Sequence, residues 1–213
     1  MSIDPPPCAS LRRASVPLTS LPNLLTLSRI AAVPIVVVLF YMPGNEARWL
    51  ACVLFSAACV TDWLDGHVAR RWQQQSDIGR FLDPIADKLL VAAALLMLTA
   101  SSRLPTGALL PALIILCREI LVSGLREYLA GLRVGLPVSR LAKWKTFIQM
   151  LAIGFLIVGN AGPALVPVKT IGGTLLWIAA ILTLVTGYDY LRAGLPHLNR
   201  APAPRHGKPQ HLA

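Results

Sequence analysis

Apolar and polar positions are segregated along this chain into long hydrocarbon-like runs separated by short polar connections. A helix crossing the hydrocarbon core of a bilayer needs about 20 predominantly apolar residues. Six runs approach or meet that length, at 21–40, 47–63, 81–100, 109–129, 147–160 and 170–190. Proline and glycine punctuate the connections, with Pro43 and Gly44 after the first run, Pro105 and Gly107 after the third, and a Gly/Pro-rich stretch from Gly159 to Pro167 after the fifth. The pattern predicts an all-α, polytopic integral membrane protein of six transmembrane helices.

Composition agrees with that pattern. Of 213 residues, 55% are apolar and only 14% charged, too greasy and too charge-poor for an ordinary soluble domain. Residues 1–20 are polar and Pro-rich, becoming basic only at Arg12 and Arg13, so no cleavable signal peptide is expected and the first span is retained. The helical domain is expected over 21–195, followed by a disordered cytoplasmic tail over 196–213.

Basic residues set the orientation. Arg70, Arg71 and Arg80 lie between spans two and three, Arg133, Arg140, Lys143 and Lys145 between four and five, and Arg192, Arg200, Arg205 and Lys208 after six; the opposite connections hold only Arg48, Arg103 and Lys169. The positive-inside rule then puts both termini at the cytoplasmic face of an inner membrane. This topology and attraction to anionic lipid account for the net charge of +10 without nucleic acid, since no basic patch is interleaved with aromatics. Cys8, Cys52, Cys59 and Cys117 show no metal-ligand spacing and read as structural thiols.

One stretch breaks the hydrocarbon pattern. Half of the ten acidic residues fall within 61–90, as Asp62, Asp65, Asp77, Asp83 and Asp87. Asp62 and Asp65 are i, i+3 at the cytoplasmic end of span two, and Asp83 and Asp87 are i, i+4 at the start of span three, so each pair shares a helix face. Any one of them has a structural alternative: Asp83 before Pro84 has the pattern of a helix N-cap followed by proline at the first helical position, and Asp65 before Gly66 that of a turn. Two same-face pairs at one membrane edge point instead to a site, because carboxylates in spans are costly. Four converging carboxylates ionise together only around cations, and all-oxygen ligands suit Mg2+ or Mn2+. Two such ions bridged by carboxylates would clamp a displacement at phosphorus. Gly66 and Gly79 sit where glycine costs a helix about 1 kcal/mol, which suggests close approach of a ligand, and Arg70, one turn after Gly66, can neutralise a phosphate.

Asp62-x-x-Asp65-Gly66-x-x-Ala69-Arg70, followed after eight residues by Gly79-x-x-x-Asp83-x-x-x-Asp87, resembles the signature of the CDP-alcohol phosphatidyltransferase family at every defining position. The resemblance implies that an alcohol hydroxyl attacks the β-phosphorus of a CDP-linked lipid and expels CMP. It further implies a two-ion Mg2+ or Mn2+ site at Asp62, Asp65, Asp83 and Asp87, with Asp87 as the base, and a CDP-lipid site at Gly66, Ala69, Arg70 and Gly79. Segments Arg118 to Glu127 (REILVSGLRE) and Lys143 to Thr146 (KWKT), with Pro22, Asn23, Leu25, Thr26 and Arg29 near the start, are similar to the branch whose acceptor is glycerol 3-phosphate. That implies CDP-diacylglycerol as donor, with Asn23 at its site, and Arg118, Arg126, Lys143 and Lys145 around the acceptor's phosphate. A homodimer is a further implication. The rivals are a family member using another acceptor, such as inositol phosphate, serine or phosphatidylglycerol, with residues 118–146 discriminating because an uncharged acceptor would not need those cations, and a divalent-cation transporter, which would place its charges at mid-membrane on broken helices.

Overall fold

A computed structural model of the chain describes residues 21–72, 77–131 and 140–198; side chains at 21–23, 62–72, 77–81, 83, 140 and 196–198 lie outside the description. The expected polar segment 1–20 and all of the tail beyond 198 also lie outside it. Among the described residues there are six α-helices and no strand: α1 (Leu21–Tyr41), α2 (Asn45–Trp72), α3 (Asp77–Ala100), α4 (Leu109–Gly131), α5 (Arg140–Val158) and α6 (Val168–Leu198), with a 3-10 turn (Gly159–Ala161) between the last two.

The exterior is broadly apolar, with large side chains such as Val38, Val53, Leu96, Leu113, Ile120 and Leu184 exposed, while a few polar ones, Thr26, Arg29, Lys145, Gln149, Thr183 and Thr186 among them, are buried in an otherwise apolar interior. Such an exterior is stable against another apolar phase. Three helices, α1, α5 and α6, are long and apolar enough to cross a membrane, over Leu24–Tyr41, Leu141–Ala161 and Val168–Leu195. In contrast α4 carries Arg118 and Glu119 at its middle and Arg126 and Glu127 toward its end, within one apolar helix.

The core joins α1, α2, α3, α5 and α6 through Val36, Phe55, Leu90, Leu98, Ile153, Leu156 and Leu176. Helix α5 packs most extensively on α6. Close approach there is set by Gly172, where an added Cβ would stand 2.8 Å from Leu156 Cγ, in keeping with the small-residue contacts by which membrane helices associate. Ala58 and Ala94 are likewise buried within this one subunit. Cys52 and Cys59 are part-buried thiols, while Cys117 on α4 is exposed.

Two boundaries differ from the sequence pattern in ways that matter for the site. Helix α3 begins at Asp77, so Asp83 and Pro84 are interior to it rather than cap and first residue. Pro84 has no N–H to donate one turn back, so the helix forgoes one backbone bond there. Pro84's own carbonyl accepts a bond from Lys88 Nζ at 2.9 Å. Helix α5 begins at Arg140, seven residues before the apolar run, so Lys143 and Lys145 are helical. At its start Trp144 and Phe147 are exposed and meet edge to face, with centroids 6.2 Å apart, as aromatic side chains do at a membrane–water boundary.

Candidate functional site

Helices α3, α4 and α5 enclose a groove of about 400 Å³. Its polar wall is Asp87 and Lys88 from α3, Glu119, Ser123 and Glu127 from α4, and Thr146 and Gln149 from α5; Ile85, Leu89, Val91, Leu116, Ile120 and Met150 supply an apolar wall. Asp87 therefore opens onto a partly greasy cleft, the kind of surface that suits a molecule with a polar head and a hydrocarbon body.

The acidic set is distributed as follows. Asp62 and Asp65 fall on the uninterrupted helix α2, and Asp83 and Asp87 on the uninterrupted helix α3, so their i, i+3 and i, i+4 spacings are helical spacings. Of the four side chains only that of Asp87 is among those described, half-buried and lining the groove. The side chains of Asp62, Asp65, Asp83, Asn23, Arg70 and Ala69 fall outside the description, while Gly66 and Gly79 have helical backbone. An all-carboxylate set on two continuous helices fits hard divalent ions, whose ligands are oxygens.

The four basic candidates separate. Arg118 and Lys145 converge from α4 and α5 on Glu119: Lys145 Nζ donates to Glu119 Oε1, and Arg118 Nη1 approaches the same oxygen at 3.5 Å. Two cations thus share one carboxylate in a mostly buried place. Glu119 lines the groove and links this cluster to it. Asp87 is near enough for its charge to act on the Lys145 ammonium. Arg126 and Lys143 are exposed on the helix surfaces, and the structure does not bring them to Glu119.

Several residues that periodicity did not single out hold these groups in place. Thr186 Oγ1, on α6, accepts a hydrogen bond of 2.9 Å from Arg118 Nη2. Gly187 leaves the room: a Cβ there would stand 3.1 Å from Arg118 Cγ and 3.3 Å from its Nε. Tyr190 is buried with its ring 5.8 Å from the Arg118 guanidinium carbon, within cation–π range. Beside Asp87, Lys88 Nζ donates to Ser123 Oγ as well as to the Pro84 carbonyl, tying α3 to α4. The usable signal for Lys88 is a lone cation four residues after a mid-helix proline; the α4–α6 contacts have no local signal.

Comparison with known proteins agrees with this geometry. The family model for CDP-alcohol phosphatidyltransferase matches residues 19–185. A protein from Rickettsia bellii is 47% identical over 174 residues, covering 82% of this chain and 94% of its own length; one from Pseudomonas fluorescens is 44% identical over 185 residues, covering 84% and 92%. One from Cereibacter sphaeroides is 41% identical over 215 residues, covering 84% and 97%. All three are named CDP-diacylglycerol–glycerol-3-phosphate 3-phosphatidyltransferase. With the match running through both aspartate pairs and the charged residues of α4, this chain belongs to the CDP-alcohol phosphatidyltransferase family.

Proposed function

We propose that this chain transfers the phosphatidyl group of CDP-diacylglycerol to the hydroxyl of sn-glycerol 3-phosphate, giving phosphatidylglycerophosphate and CMP. The observation that carries the choice of acceptor is the Arg118–Glu119–Lys145 cluster, which brings two cations to the side of the groove lined by Asp87. A dianionic acceptor phosphate needs cations of its own, separate from whatever neutralises the donor's diphosphate. Lys145 spends one of its three donors on Glu119, leaving two for phosphate oxygens. The names of relatives at 41–47% identity support the same acceptor.

In this reading Asp87 accepts the proton of the acceptor hydroxyl as its oxygen forms a bond to the β-phosphorus and the bridging bond to CMP breaks. Two Mg2+ or Mn2+ ions held by Asp62, Asp65, Asp83 and Asp87 would supply neutralisation of the diphosphate. Gly66, Ala69, Arg70 and Gly79, with Asn23, form the donor's headgroup site. Arg118 and Lys145 orient the acceptor, with Thr186 and Tyr190 fixing Arg118; Arg126 and Lys143 contribute longer-range attraction from the surface. Apolar residues such as Leu89, Leu116 and Ile120 offer the donor's acyl chains a surface continuous with the bilayer.

All six helices span an inner membrane in this account, with both termini and the Asp87 end cytoplasmic, and a second copy of the chain packs on the apolar exterior to form a homodimer. The broadly apolar exterior supports the spans, and the positive-inside distribution supports the orientation. The test is CMP release from CDP-diacylglycerol in detergent micelles with glycerol 3-phosphate, inositol phosphate, serine or phosphatidylglycerol offered separately, with and without Mg2+ or Mn2+. Metal-dependent release with glycerol 3-phosphate alone is expected. Release with serine or phosphatidylglycerol would overturn the assignment of the basic cluster, release with inositol phosphate would overturn the identity of the acceptor, and release with none, from folded protein, would favour a transporter.

A further inference from the structure

The end of the bundle remote from Asp87 carries a second concentration of cations. Arg48 and Lys169 each lie in the first turn of a helix, α2 and α6 respectively, where the macrodipole disfavours positive charge. They flank one point: a Cβ built on Gly159, which has φ of +50°, would stand 3.5 Å from Arg48 Nη1 and 3.7 Å from Lys169 Cε. Arg103, from the connection between α3 and α4, is near enough to Arg48 for their charges to act on each other. Its place is fixed by the helix stop, in which Ser102 takes φ of 52° while Arg103 N donates to Leu98 O and Ser102 N to Thr99 O, the six-to-one and five-to-two pattern that ends a helix.

Arg103 is 92% buried, with relative exposure of 8%. Part of its charge is used locally, since Nη2 donates to the Phe40 carbonyl at the end of α1 and the guanidinium lies 4.6 Å from the Phe40 ring centroid. Its Nη1, and Nη1 of Arg48, are buried with no acceptor. Burial first, and then the charge of Arg48, depress the Arg103 pKa. Among the described residues no carboxylate pairs with Arg48, Arg103 or Lys169; Glu46, also in the first turn of α2, is exposed. Buried guanidinium donors left without acceptors are costly, more so where two helix N-termini add to the positive potential.

We propose that Arg48, Lys169 and Arg103 form an anion site, distinct from the catalytic groove, that binds a phosphate group at the opposite membrane face. Along α2 and α3 it stands more than 20 Å, about fourteen helical residues, from the acidic pairs. The chemistry is that of a phosphate monoester or diester oxygen cluster, supplied by an anionic phospholipid headgroup of the outer leaflet or by free phosphate. The site does not depend on the catalytic reading.

Full-length protein in phosphatidylcholine nanodiscs distinguishes the sources. Thermal unfolding is followed on addition of inorganic phosphate, and in parallel with phosphatidylglycerol replacing part of the phosphatidylcholine, for wild type, Lys169→Glu and Arg48→Gln. Both variants are expected to weaken the stabilising ligand's apparent affinity by about tenfold or more, the scale of one lost charge-assisted hydrogen bond. Lys169→Glu should also raise the ligand-free melting temperature, because it supplies the missing carboxylate at a helix N-terminus. Response to phosphatidylglycerol only identifies a headgroup, and response to inorganic phosphate as well identifies a site open to solvent. Equal ligand response in wild type and both variants, with no rise for Lys169→Glu, overturns the proposal. CMP release by the variants should match wild type, which separates this result from any failure of the catalytic account.

Discussion

Replacing Lys145 by Met isolates the acceptor charge from its packing. Lys145 is 4% exposed and bonded to Glu119, and methionine keeps an unbranched side chain of similar volume in that space. Breaking a buried ion pair costs about 3–5 kcal/mol when the partner is stranded. Glu119 is not stranded, because Arg118 Nη1 remains 3.5 Å from the same oxygen. The folding cost should therefore fall to about 1.5–3 kcal/mol, the net value of one hydrogen bond to a charged group. Catalysis should suffer separately. A charge-assisted hydrogen bond to the acceptor phosphate is worth about 2–3 kcal/mol, or about 30- to 150-fold in kcat/KM for glycerol 3-phosphate at 1.4 kcal/mol per decade. The KM for CDP-diacylglycerol should stay within about twofold, since the donor uses other residues. The assay is CMP release with each substrate varied in turn, and then with glycerol as acceptor, whose slow turnover should not distinguish variant from wild type. A lowered melting temperature with an unchanged KM for glycerol 3-phosphate would reduce Lys145 to a structural ion-pair partner and refute the reasoning.

Other expected outcomes follow from neighbouring contacts. Thr186→Val removes the acceptor of the 2.9 Å bond from Arg118 while keeping the side chain's shape, and should raise the KM for glycerol 3-phosphate about tenfold, measured against an unchanged KM for the donor. Gly187→Leu drives a side chain into the space of Arg118 Cγ and Nε, so the same KM should rise at least as far, and Gly187→Ala should fall between it and wild type. Ser123→Ala unties Lys88 from α4 beside Asp87; kcat should drop several-fold in CMP-release assays with little change in either KM, in keeping with a positioning role.

Much of the fold was legible in the residues because membrane helices announce themselves by composition over about 20 positions. The helices α1 and α4 begin at the residues where their apolar runs begin, Leu21 and Leu109. Polar extensions were not legible: α3 starts four residues before Phe81, α5 starts seven before Phe147, and α6 continues eight past Tyr190, since hydropathy marks where a helix is greasy, not where its hydrogen bonds stop. The Asp83–Pro84 pair shows the same limit. Local capping preference favours a helix start there, yet the helix runs through it, with Lys88 serving the Pro84 carbonyl.

The candidate site divides along the same line. Spacing along one helix marks Asp87 and its one-turn neighbour, and charge in an apolar run marks Arg118 and Glu119. Which cations meet is decided between helices: Lys145 turns inward to Glu119 while Lys143, two residues earlier on the same helix, faces out. The Thr186, Gly187 and Tyr190 surface that holds Arg118 comes from a helix 68 residues away, beyond the reach of any local period.

The central claim is tested most directly by following radiolabelled glycerol 3-phosphate into lipid, using purified protein, CDP-diacylglycerol and Mg2+ or Mn2+, for wild type and Asp87→Asn. Label should appear in phosphatidylglycerophosphate in step with CMP for wild type and fall by at least about a hundredfold for the variant, the scale of a lost general base, at an unchanged melting temperature. Lipid labelling by Asp87→Asn at near the wild-type rate, or CMP release by wild type without labelled lipid, would contradict the account.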